Sequence, residues 1–587
     1  MCWDQHLARI GPAGFLLAAA TLVAQSRPAA KPTADLILHG GVVWTVDEDN
    51  PKAAAIAVRG AKIVAVGKSD NVLRWRGPDT RVLHLDGKLV VPGFNDNHVH
   101  FASAARFLEF NIMTTQTQEV FVARVKEVLE RVPKGEWITG GFWGAYDQWA
   151  IGSAGGARKK PFTPDMSLVR ELTKHHPMLI QKFDSSEWAA NEAALRAVGI
   201  QDAATADVRG VSFLRDADGK ATGVFRGAGA RRLFGARLIR RPSKQRRLAQ
   251  TRHALEQVRA AGVTSLSDMS DDQQLEIYRQ LHSKGELTVR VHFRPMLDRW
   301  RPLEQQGIKV GSGHEWIRMG ALKGHIDGIM GTSSARFFKP YSHNAKNRGR
   351  WRRLMVDARG QFAKGKFLGY MLDADKAGLQ LSVHAIGDEA NHVLLNYLEE
   401  LEKANGIKDR RFRLVHAQVV ARPDMRRLRK LRVIAEVQPY HLSDDMRWME
   451  ERIGRERCKN AYAFKSLQEH GAVLCFGTDW PGTSAASYPI NPMLGIHAAV
   501  TRQTITGLPE GGWFPEERIS VQDAIKAYTW GSAYASFEED IKGTITVGKL
   551  ADFTVLSKNI LECAPGEILD AKAVYTIVGG KVMYAAK

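Results

Sequence analysis

The sequence predicts an α/β fold, a parallel sheet of βα units joined to a smaller β-domain that both chain ends build together. Three observations point there. Short apolar strands ("LQLSVHAIG", "FRLVHAQVV", "RVIAEVQPY", "AVLCFGTDW") alternate with amphipathic stretches such as "EANHVLLNYLEELEKANG" at 389–406. Strand-and-glycine-turn patterns stand near both termini. The 587 residues exceed one ordinary domain and suit a large barrel carrying insertions.

In chain order, Arg9 precedes "GPAGFLLAAATLVA", an uncharged apolar run too short to span a bilayer, and "AQS" (Ala24 to Ser26) follows with small residues at cleavage spacing. Residues 1–26 therefore read as the signal peptide of an exported protein. An uncleaved membrane anchor is the alternative, and no stable membrane insertion is expected of the mature chain. N-terminal sequencing of protein from the native host should find a terminus near Arg27. An intact Met1 in a cytosolic fraction would rule export out.

"DLILHGGVVWTVD" (35–47) and "AAIAVRGAKIVAVG" (54–67) each read as strand, glycine turn, strand, and "ADFTVLSKN" with "AVYTIVGGKVMYAA" repeats the pattern at the far end. "VVPGFNDNHVHFA" follows the first set. Side chains at i and i+2 of a strand point the same way, so His98 and His100 share a face, with Asp96 on it too. Neutral imidazole is a common ligand of zinc and similar cations, but two ligands do not complete a site. Residues from about 104 to 265 break the βα rhythm and read as an insertion, in which the aromatic "GFWGAYDQW" (141–149) either lines a pocket or packs a core.

The later strands each end in a candidate ligand: His384, His416 and Asp479. Polar residues at the C-terminal ends of parallel strands are the usual seat of barrel chemistry. Lys323, in "GALKGHIDGIMGTSSA", cannot ligate a metal as an ammonium, which has three donors and no lone pair. Buried beside dications it loses its proton and can take up carbon dioxide, giving a carbamate able to bridge two metals. Asp327 is the alternative oxygen ligand.

Three cysteines remain after the leader, Cys458, Cys475 and Cys563, without a CxxC spacing, so no disulfide framework is expected. The net charge of +20 invites a nucleic-acid reading, and "NRGRWRRLM" (347–355), "RRPSKQRRLAQTR" (240–252) and "RPDMRRLRKLR" (422–432) are basic. The latter two look like solvated outer helices, and no RNP, helix-turn-helix, KH or zinc-finger pattern accompanies them. No nucleic-acid partner is expected. Attraction to anionic surfaces or substrates is.

In this order, "PGFNDNHVH", Lys323, His384, His416 and "GTDWP" resemble the metal-dependent amidohydrolase superfamily. "IDGIMGTSSA", "VHAIGD", "HAQ", "VQPY", "NPMLGIHAAVTRQ" and "GTITVGKLADFTVL" resemble its amidohydrolase 3 branch, which contains N-substituted formamide deformylase and YtcJ-like relatives. The resemblance covers roughly 34 to 587. It implies a distorted (β/α)8 TIM barrel over 91–540, with the insertion early in it, and a composite β-sandwich from 34–90 and 541–587. It implies one or two divalent metal ions, zinc first among them. His98, His100 and Asp479 would hold the first, His384 and His416 the second, and carboxylated Lys323 would bridge. The implied reaction is hydrolysis of a non-peptide C–N bond, amide or formamide, by a metal-activated hydroxide, with Asp479 as proton shuttle. Trp480, Tyr440 and Arg502 are substrate-pocket candidates, though core packing accounts for the first two equally well. Two departures, Ser186 in "DSSEWAAN" and Gly227 in "TGVFRGAG", lie in the insertion and put deformylase specificity in doubt. A metal-dependent lyase or isomerase can use the same cage, but only hydrolysis places solvent oxygen in the product. A non-catalytic scaffold would be expected to have lost cage residues, and none is missing. The partner expected is a small-molecule amide, and a homodimer is compatible with the sequence.

Overall fold

The computed structural model describes residues 33–144, 162–183, 185–201, 208–227, 229–234, 242–483 and 486–587. The leader, residues 145–149 of the aromatic stretch and Asp184 lie outside them.

Eight short parallel strands frame the chain's centre. The first arc is β1 (Phe94–Val99), β2 (Val263–Asp268) and β3 (Arg290–Phe293), paired in that order. The second is β4 (Leu322–His325), β5 (Leu381–Ala385), β6 (Arg413–His416), β7 (Ile434–Val437) and β8 (Val473–Phe476), again in chain order. The arcs meet at both edges. Lys323 N donates to Pro295 O at 2.8 Å between β3 and β4, and Asp479 N donates to His98 O at 2.8 Å between β8 and β1. Every residue of β5, β6 and β7 is buried, as expected of parallel strands covered on both faces.

Helices supply that cover. Asp388–Asn405 buries Leu394, Leu395, Leu398 and Leu401 at helical spacing and stops at Gly406, whose φ of 75° suits glycine. Lys244–Ala260 starts at Ser243, whose hydroxyl accepts from Arg246 N. The sequence puts this helix and the start of β2 in the insertion, whereas here they form one βα-type unit of the frame. Nor is the helix merely solvated. Arg246 is buried and clamps Glu109 with two hydrogen bonds, at 3.0 and 2.6 Å. A bidentate buried pair of this kind fixes geometry as well as charge.

The insertion proper is a separate five-stranded sheet: Ser212–Arg215, Ala221–Arg226, Glu187–Ala190, Met178–Lys182 and Ile138–Trp143 in spatial order. It has a core on each face, one around Met178, Ile180 and Val224, the other around Leu179, Leu195 and Phe225.

Both chain ends enter one eight-stranded sheet. Phe553–Leu556 pairs antiparallel with Leu89–Pro92, joining the C-terminal hairpin to the N-terminal strands. Lys52–Arg59 and Lys62–Gly67 form the hairpin that their glycine turn suggests. Leu36–Trp44 does not turn at Gly40-Gly41; it runs on as one strand with a register break there. The break lets its first half pair with Arg81–His84 and its second with Leu89–Val90. Arg290 of β3 ties this sheet to the frame through Asp552, at 2.7 and 3.0 Å.

Candidate metal centre

The polar residues that the sequence places at strand ends converge on a cavity of about 220 Å³ at the C-terminal ends of the strands; His98, His100, Lys323, His384, His416 and Asp479 all line it. One ligand atom each from His98, His416 and Asp479 lie within 4.8 Å of one another. Asp479 Oδ1 is 3.4 Å from His98 Nε2 and 3.2 Å from His100 Nε2. Lys323 Nζ is 3.4 Å from His98 Nε2. The His384 and His416 rings are 4.5 Å apart, centre to centre.

Three of the imidazoles are oriented by an acceptor behind them. His98 Nδ1 donates to Glu436 at 2.7 Å and His416 Nδ1 to Gln438 Oε1 at 2.6 Å, so that in each ring Nε2 carries the lone pair. His384 Nε2 donates to Gly328 O at 3.0 Å, which leaves its Nδ1. Burial takes the pKa of His98 and His384 down to about 3, so they are neutral donors at any ordinary pH. Burial also opposes ionisation of Asp479, but His98, His100 and His441 outweigh it and hold the carboxyl well below the usual carboxylate range. Burial, then Arg294, bring the Lys323 ammonium down to about 7.

Asp96 shares a strand face with His98 yet ligates nothing in the cluster. Its carboxylate accepts from His98 N, Thr478 N and the Thr478 hydroxyl, welding β1 to the turn after β8. Asp327, the alternative to Lys323, is likewise engaged, accepting from the backbone N–H groups of Arg336, Ile386 and Gly387 at 2.9–3.1 Å.

None of the three pocket candidates lines the cavity. Trp480 packs edge-on against Phe101, and Tyr440 lies edge-on behind Tyr488. Arg502 is fully buried and donates to the carbonyls of Trp513, Tyr462 and Ala461. That is a structural post, because buried carbonyls of loop backbone need a donor. Sequence reasoning misses three residues. Glu436, between the Arg294 and Arg413 guanidiniums at 2.8 Å each, supports His98. His441 is buried, its Nε2 lacks a hydrogen-bond partner among the described residues, and it lies 3.6 Å from Asp479 Oδ2. Tyr488 lines the cavity with its ring 4.1 Å from that of His441. The one local signal was "VQPY", which stops a residue short of His441.

Comparison with known proteins decides the family. Residues 81–584 match the family model described as the amidohydrolase family. The chain belongs to the amidohydrolase family. Among curated proteins this amidohydrolase is 32% identical to Protein LONG AFTER FAR-RED 3 of Arabidopsis thaliana, over 95% of this chain and 93% of the other. It is 26% identical to N-substituted formamide deformylase of Arthrobacter pascens, over 94% and 98%. The crystal structure of an uncharacterised metal-dependent hydrolase from Pyrococcus horikoshii matches with a TM-score of 0.70 at 25% identity, covering 90% of this amidohydrolase and 99% of that chain. Membership places the chain among hydrolases.

Proposed function

We propose that this amidohydrolase uses one or two divalent cations, zinc foremost, to hydrolyse a non-peptide C–N bond in a small amide or formamide. The observation that carries the reading is the convergence of His98, His416 and Asp479 within 4.8 Å beside a buried lysine. The donor set fits a divalent cation, with neutral imidazoles whose far nitrogens are hydrogen-bonded and one carboxylate held ionised. His98, His100 and Asp479 would hold one ion, His384 and His416 a second, with Lys323 as a bridging carbamate. Support for reading the eight strands as one distorted (β/α)8 barrel comes from the hydrogen bonds joining the two arcs at both edges, and support for a composite terminal domain from the pairing of Phe553–Leu556 with Leu89–Pro92.

A cation bound there supplies Lewis acidity, polarising the scissile carbonyl and lowering the pKa of water. Asp479 takes the proton from the attacking water at a carboxylate oxygen. It returns that proton to the leaving nitrogen as the C–N bond breaks, since an amide anion is a very poor leaving group. His441 Nε2 lies 3.6 Å from Asp479 Oδ2, where its charge distribution favours the ionised carboxylate.

Gently purified protein is expected to hold one to two equivalents of transition metal per chain by elemental analysis. A chelator should abolish turnover and lower the melting temperature, because a ligand at 1,000 times its Kd stabilises the native state by about 4 kcal/mol. Metal-free protein that gains neither activity nor stability from zinc or manganese would sink the proposal.

The carbamate carries its own pH signature. The Lys323 nitrogen lone pair attacks the carbon of CO2, an N–C bond forms as one C=O π pair moves onto oxygen, and nitrogen releases a proton to solvent. Only neutral amine reacts, and with a pKa of about 7 its fraction falls as pH drops through neutrality. At constant dissolved CO2, reconstitution with metal should therefore speed up from about pH 6 to about pH 8. A rate flat across that window would leave the lysine uncarboxylated.

A further inference from the structure

The basic run at 347–355 stands out in the sequence and has no part in the metal cluster. Arg348 pairs with Glu389 at 3.0 Å. Trp351 bridges to Asp327, and Arg352 N donates to Ile326 O at 2.9 Å, so the run folds back along the segment leaving β4. That places Arg352 on the wall of the cavity lined by His98, Lys323 and Asp479. Its Nε donates to Asp327 O at 2.8 Å, which anchors the otherwise exposed guanidinium. Its two terminal nitrogens have no protein acceptor among the described residues.

The acids around the cavity, by contrast, are all engaged. Asp444 is held by Arg447 and the Tyr488 hydroxyl, and Asp445 by Gln418 and the Tyr462 hydroxyl. Asp327 accepts three backbone N–H groups, and Asp479 faces three imidazoles. The cavity therefore offers an anchored, unpaired arginine fork, whose planar pair of donors matches a carboxylate. A site of about 220 Å³ suits a small molecule.

We infer that Arg352 holds a carboxylate on the substrate, so that the preferred substrates are small amides bearing an acid group near the scissile bond, N-acyl amino acids among them. This rests on the hydrolytic reading, and the test separates the two.

Matched pairs serve as probes: N-formyl and N-acetyl amino acids against the corresponding amides lacking the carboxylate. Metal-loaded enzyme should show a higher kcat/KM for the acid member of a pair. Arg352→Gln should lose about 10- to 100-fold on the acid and little on its neutral partner, as for a charged hydrogen-bonding pair. Arg352→Lys should lie between. Calorimetry with N-(methylsulfonyl)glycine and N-methylmethanesulfonamide, which carry no scissile amide, reads binding alone. Tighter binding of the acid by the wild type, lost in Arg352→Gln with an unchanged melting temperature, supports the subsite even if no amide in the panel turns over; that failure would count against the hydrolytic reading instead. Equal binding of both sulfonamides, no binding of the acid, or an equal loss on both members of every pair would overturn the inference.

Discussion

Asp479→Asn is expected to reduce turnover by about 10²–10⁴-fold, the usual worth of general acid–base catalysis, while the protein stays folded. The variant suits the site for a backbone reason. Asp479 has a φ of 62°, in the left-handed region that asparagine tolerates and most other residues do not. Its backbone N–H bond to His98 O needs no side chain and persists. What changes is basicity, since a carboxamide cannot take up a proton near neutrality as a carboxylate does. The checks are kcat, bound metal and melting temperature measured on the same preparation. A well-folded, metal-bearing variant with near-normal turnover would move the proton shuttle to another group.

Lys323→Ala is expected to lose one metal equivalent and most activity, and Lys323→Arg to fare no better. Four histidines and one aspartate bring a single formal negative charge to as many as two dications. Arg294 and Arg413 already lie close enough to disfavour the Lys323 ammonium. At an effective dielectric of about 20 and a separation of about 4 Å, each like-charge pair costs about 4 kcal/mol before screening. A carbamate reverses the sign and offers two oxygens, whereas guanidinium cannot be carboxylated and keeps its charge. Metal counting by elemental analysis, with and without added bicarbonate, follows the effect. A bare amine at Lys323 in fully metallated, active enzyme would refute the carbamate.

The candidate ligands are legible in the sequence because most of them end or follow an apolar run: His384 and His416 near the ends of β5 and β6, His98 on β1 and Asp479 just past β8. Strand periodicity and the C-terminal rule for parallel sheets suffice to gather them. The layer behind them is not legible. Glu436 supports His98 from 338 positions away, and no local spacing announces a partnership made by sheet closure. Arg502 misleads for a related reason. An arginine near site motifs reads as substrate-facing, but the backbone acceptors that claim it appear only once the chain has folded. Gly40-Gly41 reads as a turn because glycines end strands more often than they permit a register break. Only the two different neighbours of Leu36–Trp44 reveal the break.

The insertion's separate packing divides the molecule's labour. The insertion closes both of its cores with its own helices and strands, and of its described residues only Phe183 reaches the cavity wall. A neighbouring cavity of about 470 Å³ runs between that sheet and the strand ends, sharing His100, Gly482 and Thr483 with the first. Mutations on the insertion therefore reshape an antechamber and tax only local packing, while the ionic scaffold under His98 stays untouched. Changes there alter the approach to the strand ends and leave the residues of the cluster where they are.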